Sequence, residues 1–314
     1  MKSRGRRSTP AGEHLPVLLN EVLEVLSPKP GEVIVDGTVG WAGHAVEFLK
    51  RVGPTGLLMG IDLDAENVCH AGQRLRAVGH PFRLHHGNFA GLPHILAAEG
   101  VTGIDALLVD LGMSSMQVDD PERGFSYVRD GPLDMRMDRS RGRTAAQVLS
   151  EISRDELAHA LFHLGDETQN EVIAAAIVAA RELKPIRRTG ELAEVIRQAT
   201  DTRDWRLHPA RGKWNLHPAA RTFQALRLLV NREPGNLQEL LRVLPTCLKP
   251  GGRAAVISFH SGEDRLVKKA FRDGLRTGLY SHAAEEPIRP ALAERTANPR
   301  SRSAKLRWLI RECG

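Results

Sequence analysis

Strand-like and helical patterns alternate over the first 112 residues, and this alternation limits the fold more than any other feature. Four short strand-like runs read EVIVDG (32–37), LLMGID (57–62), FRLHHG (82–87) and DALLVDLG (105–112). Helical patterns lie between them, near 43–52, 65–78 and 89–99. Strands that alternate with helices in this way run parallel and carry helices on both faces of the sheet. The sequence therefore predicts an α/β fold.

The alternation stops after Gly112 and resumes only near residue 219. Residues 113–142 are polar and rich in Arg, Asp, Gly and Met, whereas residues 144–200 have the spacing of amphipathic helices. The patterns that follow are helices near 219–231 and 236–248, a strand RAAVISFHS at 253–261 and a helix at 263–272. A sheet that is interrupted and then continued predicts one domain that carries a helical insertion.

The 314 residues leave room for such an insertion, since domains commonly hold about 100–200 residues. We expect a basic, flexible N-terminus at 1–13, a sheet domain at 14–125 and 217–314, and an all-helical insertion for substrate recognition at 126–216. Ligands of open α/β sheets bind outside the carboxyl ends of the strands, and the interruption begins at such an end. The insertion is therefore expected to overhang the ligand site.

Positive charge is collected into three segments of the chain. Residues 1–10, 181–232 and 289–311 carry net charges of +4, +7 and +6, so the remainder of a chain with net charge +6 carries −11. Any one of these segments could be an ordinary solvated surface. Three of them on an otherwise acidic chain favour a polyanionic partner, and we expect that partner to be a nucleic acid.

The composition is that of a soluble globular protein, with 41% hydrophobic and 26% charged residues. Apolar stretches such as VIAAAIVAA are too short to cross a bilayer, and the start MKSRGRRSTPAGEH lacks the apolar segment of a secretory signal. We therefore expect a cytoplasmic protein that does not bind membranes. The three cysteines, Cys69, Cys247 and Cys313, lie far apart without a CxxC pair, so no metal site or disulfide framework is expected.

The stretch IVDGTVGWAGH (34–44) joins the first strand to a helix through Gly37, Gly40 and Gly43. This spacing differs from the G-x-G-x-x-G of dinucleotide folds, and no G-K-[ST] follows as in a phosphate-binding P-loop. Asp36 and Asp62, at the ends of two strands, can meet hydroxyl groups or a cation. A ligand with a ribose diol and an ammonium group, such as S-adenosylmethionine, suits this arrangement. On spacing alone, turn glycines without any ligand remain an alternative.

Four further segments resemble, in order and spacing, the signatures of the bacterial 16S rRNA cytosine-N4 methyltransferase family. They are LLVDLGMSSMQVDDPERGFSYVRDGPLDMRMD (107–138), HPAARTFQALRLLVN (217–231), GGRAAVISFHSGEDRLVKKAF (251–271) and NPRSRSAKLR (298–307). The resemblance extends from about His14 to about Arg311. It implies a class I S-adenosylmethionine-dependent methyltransferase, Rossmann-like with a mostly parallel sheet, that methylates the N4 amine of a cytidine. The implied target lies in the decoding region of 16S rRNA, within the small ribosomal subunit.

The resemblance also implies which residues contact the cofactor, S-adenosylmethionine. Carried over by position, these residues are Ala42, Gly43, His44, Asp62, Phe89, Asp110 and Gln117. Asp62 is expected to accept from both ribose hydroxyls and Phe89 to lie against the adenine. Ala42 departs from the family, whose loop usually reads G-x-G-G-H. If position 42 needs a positive φ, alanine costs on the order of 1 kcal/mol there and weakens cofactor binding.

Methylation of an exocyclic amine requires positioning more than acid–base catalysis. The lone pair of the amine is delocalised into the ring, so the enzyme must hold the nitrogen in line with the methyl group and bond its NH₂. Asp110 is the first candidate to accept from the amine, and Asp134 and His260 are the next catalytic candidates. We expect the polar segment 113–138 to be mobile without RNA and to close over the target base.

Two other functions and the oligomeric state remain open at this point. A nucleotide-dependent oxidoreductase is disfavoured by the glycine spacing. A non-catalytic RNA-binding factor of ribosome assembly, in which Ala42 marks a weakened cofactor site, is the main alternative. A homodimer is compatible with the sequence, which does not decide between one and two copies.

Overall fold

The computed structural model describes residues 16–200 and 217–313. Its strands are β1 (Val33–Asp36), β2 (Leu57–Asp62), β3 (Phe82–His86), β4 (Ile104–Asp110), β5 (Leu248–Ser258), β6 (Tyr280–Ala283) and β7 (Lys305–Arg311). The helices are α1 (Leu19–Leu26), α2 (Gly43–Val52), α3 (Ala65–Arg76), α4 (Leu92–Ala98), α5 (Ser115–Asp119), α6 (Ala145–Glu151), α7 (Arg154–Gly165), α8 (Asn170–Leu183), α9 (Thr189–Ala199), α10 (Ala220–Val230), α11 (Glu233–Cys247), α12 (Ser261–Arg276) and α13 (Leu292–Ala297). Short 3₁₀ helices lie at Phe89–Gly91, Pro121–Arg123 and Pro299–Ser303.

All seven strands form one sheet, in the order β3-β2-β1-β4-β5-β7-β6. Strands β1 to β5 pair in parallel, and β7 pairs antiparallel with both β5 and β6. The predicted α/β class is therefore confirmed, and so is the mostly parallel, Rossmann-like sheet. The strands predicted near 32–37, 57–62, 82–87, 105–112 and 253–261 correspond to β1 through β5.

Two apolar layers cover the two faces of this sheet. Successive strand residues point to opposite faces, so Ile34 packs into the layer that contains Phe48 of α2, whereas Val35 packs into the layer that contains Leu240 of α11. Helices α1, α2 and α3 supply the first layer, and α4, α11 and α12 supply the second. Helices on both faces of the sheet were predicted from the alternating pattern, and this prediction is confirmed.

The sequence did not predict α1, β6, β7 or α13. Strand β7 lies inside the basic segment 289–311, where Lys305 and Arg307 alternate with apolar residues. Both cations pair with Asp264 of α12, at 2.8 Å and 2.7 Å, so their charge is neutralised within the fold. The sequence alone does not show these ion pairs, so the strand has the appearance of an exposed basic segment.

Pro234 stands where the family that the sequence resembles usually has leucine, and this departure predicts a shortened or kinked helix. The structure shows instead that Pro234 does not disturb α11. The helix begins at Glu233, which places Pro234 in the first turn. The N–H groups of the first turn have no partner within a helix, so proline is tolerated there.

The described chain divides into two compact units. One holds the described residues up to Gly112 together with those from Asn236 onward, and we call it the sheet unit. The other, the helical unit, is Met113–Gly235, which is wider than the predicted insertion of 126–216. Residues 1–13, predicted as a flexible N-terminus, lie outside the described residues, as do 201–216.

Contacts within the helical unit explain why its limits lie beyond the predicted ones. Near its start, the amide of Met135 donates to the Arg123 carbonyl at 3.0 Å. Near its end, Gln224 of α10 donates from Nε2 to the Leu164 carbonyl of α7 at 3.3 Å. Segments on both sides of the predicted insertion thus belong to the same packed structure.

The segment 113–138 contains its own buried residues, contrary to its polar appearance in the sequence. Phe125, Leu133, Met135 and Met137 are all buried. Met135 has a positive φ of 61°, a conformation that costs a non-glycine residue free energy unless its neighbours fix it. Asn231 lies beside it, donating from Nδ2 to the Met135 carbonyl at 2.8 Å and accepting from the Met137 amide at 2.8 Å. Closure of this segment over RNA stays a prediction.

None of the helices described in 16–200 and 217–313 is both long enough and apolar enough to span a membrane.

Replacing Asn231 with alanine should loosen the segment around Met135. The change removes the bonds to Met135 and Met137 and leaves a buried carbonyl and amide without these partners, at a cost of about 2–3 kcal/mol. Hydrogen exchange followed by mass spectrometry should show faster exchange at residues 123–138 and unchanged exchange in β1 to β5. Unchanged exchange throughout would contradict the assigned role of Asn231.

Candidate active site

Three aspartates lie at the carboxyl ends of neighbouring parallel strands. Asp62 ends β2, Asp36 ends β1 and Asp110 ends β4, and these strands are adjacent in the order β2-β1-β4. Carboxyl ends of parallel strands lie at one edge of the sheet, where open α/β sheets bind their ligands. The fold therefore gathers three carboxyl groups at the expected ligand edge, and we call them the aspartate cluster.

The loop after β1 is drawn toward β4 by its first two residues. The amide of Gly37 donates to the Leu108 carbonyl at 2.8 Å, and a Cβ at position 37 would lie 3.1 Å from Val109 Cγ2. Thr38 follows, and its hydroxyl accepts from the Asp110 amide at 2.7 Å, while its own amide donates to Asp36 Oδ1 at 3.1 Å. Thr38 thus links two members of the aspartate cluster. No local sequence pattern indicates this role of Thr38, because it depends on β4 lying beside β1.

Asp62 is fixed by three hydrogen bonds. Its Oδ2 accepts from the Gly40 amide at 2.8 Å, and its Oδ1 accepts from the Asp64 amide at 2.8 Å and from Asn67 Nδ2 at 3.2 Å. A carboxylate oxygen can accept two hydrogen bonds, so Oδ2 retains room for one further donor. This arrangement supports one direct ribose hydroxyl bond to Asp62 more readily than the two that were expected.

Ala42 has the positive φ on which the expected cost depends. Its φ is 60° and its ψ is 33°, in the left-handed region, and its side chain is fully buried. The amide of Ala42 donates to the Val39 carbonyl at 2.7 Å, and α2 begins at the next residue. The family glycine would avoid a strain of about 1–2 kcal/mol at this position. The loop nevertheless keeps the conformation that a glycine would adopt.

Gly43 and His44 lie in the first turn of α2. A Cβ at Gly43 would lie 3.1 Å from the Cβ of Pro16, so the chain packs closely there. The ring of His44 is buried, and its Nε2 lies 2.9 Å from the Val17 carbonyl. This bond anchors the segment before α1, so the imidazole has a structural contact and the main chain is the part of His44 suited to a ligand.

Phe89 follows β3 and begins a 3₁₀ helix. Asn88 caps this helix, since its side chain accepts from the Ala90 amide at 2.9 Å. Phe89 is only 9% exposed and packs in the layer that contains Val35. A Cβ placed on Gly37 would lie 3.3 Å from the Cβ of Phe89, so Phe89 is close to the loop after β1. Little of Phe89 is therefore available to an adenine in this structure.

Gln117 and Asp134 belong to the helical unit, where each makes local hydrogen bonds. Gln117 accepts from the Ser114 amide at 3.0 Å and forms a capping box with Ser114 at the start of α5. Asp134 accepts from Arg136 Nε at 2.8 Å and Arg136 Nη2 at 2.9 Å. Burial raises the pKa of Asp134, but the bonds from Arg136 outweigh it and hold the pKa below its usual value. A carboxylate bound in this way suits a structural role better than a catalytic one.

The buried aspartates keep their protons to unusually high pH. Burial raises the pKa of Asp36 to about 7, opposed by the Thr38 amide and assisted by the charge of Asp62. Burial also raises the pKa of Asp110 well above its usual value, with contributions from Asp36 and Glu263. Asp110 Oδ1 is buried and has no hydrogen-bond partner among the described residues. A cation at this edge would lower these pKa values and stabilise the ionised cluster.

His260 lies at the N-terminus of α12, next to Glu263. Its Nε2 is 3.0 Å from Glu263 Oε1, and Glu263 Oε2 accepts from the Phe259 amide at 2.9 Å. Glu263 is buried and was not predicted as a site residue, although its position three residues after the capping residue His260 is a signal in the sequence. The structure thus places His260 beside a carboxylate that also acts on Asp110. No group of three or more His, Cys, Asp or Glu residues within 16–200 and 217–313 is arranged to hold a metal ion.

The raised pKa of Asp36 predicts a pH-dependent stability of the cofactor-free protein. In the unfolded chain Asp36 ionises near its ordinary pKa of 3.8, whereas in the folded protein it stays protonated up to about 7. Folding stability therefore falls as the pH rises from about 4 to 7. Asp36→Asn removes this loss, so the variant should be about 2–4 kcal/mol more stable than the parent at pH 8.

Urea unfolding at pH 4.5 and pH 8 checks this prediction, because the gain should be small at the lower pH. Asparagine can still accept from the Thr38 amide, so the loop contact is kept. An equal change at both pH values would contradict a raised pKa at Asp36.

Comparison with known proteins gives a match over nearly the whole chain. A model described as the MraW methylase family matches residues 11–312. The chain is 46% identical to a protein of a Geobacter species over 94% of this chain and 97% of that protein. It is 45% identical to proteins of Citrifermentans bemidjiense and Trichlorobacter lovleyi, over 94% of this chain and 97% and 96% of theirs. All three relatives bear the name Ribosomal RNA small subunit methyltransferase H.

Proposed function

Since the chain belongs to the MraW methylase family, we propose that it transfers a methyl group from S-adenosylmethionine to the N4 amine of a cytidine in small-subunit ribosomal RNA. The name shared by relatives 45–46% identical to this chain supports the class of RNA. The motif resemblance supports the cytidine amine and the decoding region of 16S rRNA. The aspartate cluster, with the unpartnered Oδ1 of Asp110, is the structural observation on which the proposal depends.

The residues at the sheet edge fit S-adenosylmethionine chemically. Asp36 is buried beside Asp62, and a cationic ligand would offset the cost of ionising these neighbouring carboxyl groups. Asp62 Oδ2 can accept from a ribose hydroxyl, and the exposed part of Phe89 can contact the adenine. The main chain at Gly43 can approach the methionine part closely, because glycine has no Cβ. When bound, the cofactor would supply an electrophilic methyl group on a sulfonium, and its S–CH₃ bond would break to leave a neutral thioether as the N–C bond formed.

Asp110 is the residue we assign to the cytosine amine. Its Oδ1 has no partner in the described structure and can accept a hydrogen bond from an N4 hydrogen. That bond would turn the nitrogen lone pair out of the ring plane and toward the incoming methyl carbon. As the N–C bond forms, the nitrogen becomes acidic, and its proton passes to the Asp110 carboxylate or to water. Asp110 thus acts as a positioned acceptor and needs no strong basicity.

The target base must leave its neighbours before this contact can form. Removing a base from its stack costs a few kcal/mol, which contacts to the RNA backbone have to offset. Exposed cationic side chains can supply such contacts.

The cations of the C-terminal basic segment differ in their exposure, since Lys305 and Arg311 are half-buried and Arg307 is buried. Lys305 and Arg307 pair with Asp264, and Arg311 donates to the Leu248 carbonyl. The remaining arginines are exposed, and we call them the basic arm: Arg289, Arg295, Arg300 and Arg302. Arg295 of the basic arm lies in α13, a helix that has no buried residue. This helix is attached to the rest of the sheet unit by a hydrogen bond from the Leu18 amide to Glu294 Oε1 at 2.9 Å. We propose that the basic arm contacts RNA phosphates.

Five of the eight described cations in the basic segment 181–232 have partners within the helical unit, among them Lys184, which pairs with Glu191. Arg188 pairs with Asp130, Arg197 with Glu194 and Arg227 with Glu233, and Arg181 donates to two carbonyls of 149–152. Arg187 is exposed. Arg203 and Arg206, which the sequence suggests for RNA contact, lie outside the described residues. The basic arm is therefore the part of the described chain best suited to a test of RNA binding.

Reversing the charge of all four basic-arm arginines to glutamate should weaken RNA binding and flatten its salt dependence. Each phosphate contact that is lost lowers the slope of log affinity against log salt by roughly 0.7–0.9. Affinity for S-adenosylmethionine should not change. Arg242→Glu with Arg276→Glu is a matched control, because both residues are exposed arginines beside acidic neighbours on other helices of the chain. An equal loss in the control would contradict the assignment.

Asp110→Asn should lower the methyl-transfer rate by about a hundredfold or more, as for other groups that act mainly in the transition state. Affinity for RNA should stay nearly intact. Single-turnover transfer with saturating cofactor measures this rate. Asp105→Asn is a matched control at the opposite end of β4, where Asp105 pairs with Lys249. A rate for Asp110→Asn within a few-fold of the parent would remove Asp110 from the catalytic residues.

The function itself is tested with purified protein, radiolabelled S-adenosylmethionine and small-subunit RNA, offered both free and as the assembled subunit. Digestion to nucleosides should recover the label as an N4-methylated cytidine. RNA binding without transfer to either substrate would favour the non-catalytic assembly factor.

A further inference from the structure

Two side chains of helix α3 contact the loop between β1 and α2. The indole ring of Trp41 stacks on the imidazole of His70, with ring centroids 4.5 Å apart and an interplanar angle of 26°. Arg74, one turn further along α3, donates from Nη1 to the Trp41 carbonyl at 2.6 Å. Two successive turns of one helix therefore contact a single residue of the loop.

That residue directly precedes Ala42, the alanine with φ 60°. An L-residue in this region is held there only where its surroundings fix it, because its Cβ crowds the following carbonyl. Gly40 is fixed by Asp62 and His44 by Val17, at 2.8 Å and 2.9 Å, so both ends of the loop are attached. The contacts of Trp41 with α3 fix the chain immediately next to the strained residue.

We propose that Trp41, His70 and Arg74 form a clamp that offsets the alanine at position 42 and keeps the loop in its cofactor-binding conformation. The three are positioning residues, since they act through the main chain of the loop rather than on the reacting atoms. The inference rests on the proposed function, in which the main chain at Gly43 faces the cofactor.

The clamp should matter less when position 42 is a glycine. Glycine adopts a positive φ about as readily as a negative one, so its loop needs no external restraint to reach the same conformation. The contribution of the clamp should therefore depend on the residue at position 42. A double-mutant cycle measures this dependence directly.

The cycle combines His70→Ala with Ala42→Gly. His70 is exposed on α3, and alanine favours helix, so its replacement removes the ring stack and leaves the helix intact. We expect His70→Ala to weaken binding of S-adenosylhomocysteine by roughly fivefold in the parent and by less than about twofold in the Ala42→Gly protein. Calorimetry measures both affinities. The Tm of the cofactor-free proteins should show the same pattern, with the larger decrease in the parent.

His282→Ala is the matched control. His282 is an exposed histidine of β6 that stacks on Trp308, with centroids 4.3 Å apart and an interplanar angle of 25°. Its replacement removes an equivalent ring stack on β6, which is separated from β1 by three strands of the sheet. The affinity for S-adenosylhomocysteine should therefore stay unchanged.

The outcomes separate the clamp from the proposed function. Equal losses of affinity and of Tm for His70→Ala in both backgrounds, or no loss in either, would overturn the clamp. Coupled changes in Tm with unchanged affinity would uphold the clamp and overturn the placement of the cofactor beside this loop. Coupled changes in both quantities are the result that we expect.

Discussion

The side chain and main chain of Thr38 link the carboxyl ends of β1 and β4, and the chemistry of the site depends on this link. Its hydroxyl accepts from the Asp110 amide and its amide donates to Asp36, at 2.7 Å and 3.1 Å. Asp36 and Asp110 are thereby held as neighbours, with the Asp36 side chain and the Asp110 Oδ1 atom both buried. Burial is the main cause of the raised pKa of both carboxyl groups, and the charge of Asp36 raises the pKa of Asp110 further.

A buried acidic cluster stores an unfavourable interaction that a suitable ligand can relieve. Without a cation, the aspartates remain protonated at pH values where exposed aspartates are ionised. A cationic ligand reverses this balance, because its charge stabilises the carboxylates that repel one another. The same relief leaves Asp110 able to accept from an amine. Cofactor recognition and amine positioning thus draw on one electrostatic arrangement.

Some elements of this fold can be predicted from local sequence patterns, and others cannot. Strands β1 to β5 could be predicted because each is a short run between glycine or proline turns, and the positive φ of Ala42 could be predicted from a departure in the glycine loop. Strand β7 could not, because its cations are neutralised by Asp264, 41 and 43 positions away. The limits of the helical unit likewise depend on long-range packing, such as that of α10 on α7.

The site shows the same division. The strand-end carboxylates Asp62 and Asp110 could be found from the sequence, since a strand end is a local feature. The roles of Thr38 and Glu263 depend on which strands and helices become neighbours, so no local pattern reveals them. Asp134 was predicted as a catalytic candidate, but it is bound by Arg136. Since Arg136 is only two residues further along the chain, this pairing could have been predicted from the sequence.

The most direct test is mass spectrometry of nucleosides from small-subunit RNA of cells with and without this gene. The account predicts that an N4-methylated cytidine disappears with the gene, returns with the parent gene and does not return with the Asp110→Asn gene. An unchanged amount of N4-methylated cytidine in cells that lack the gene would contradict it.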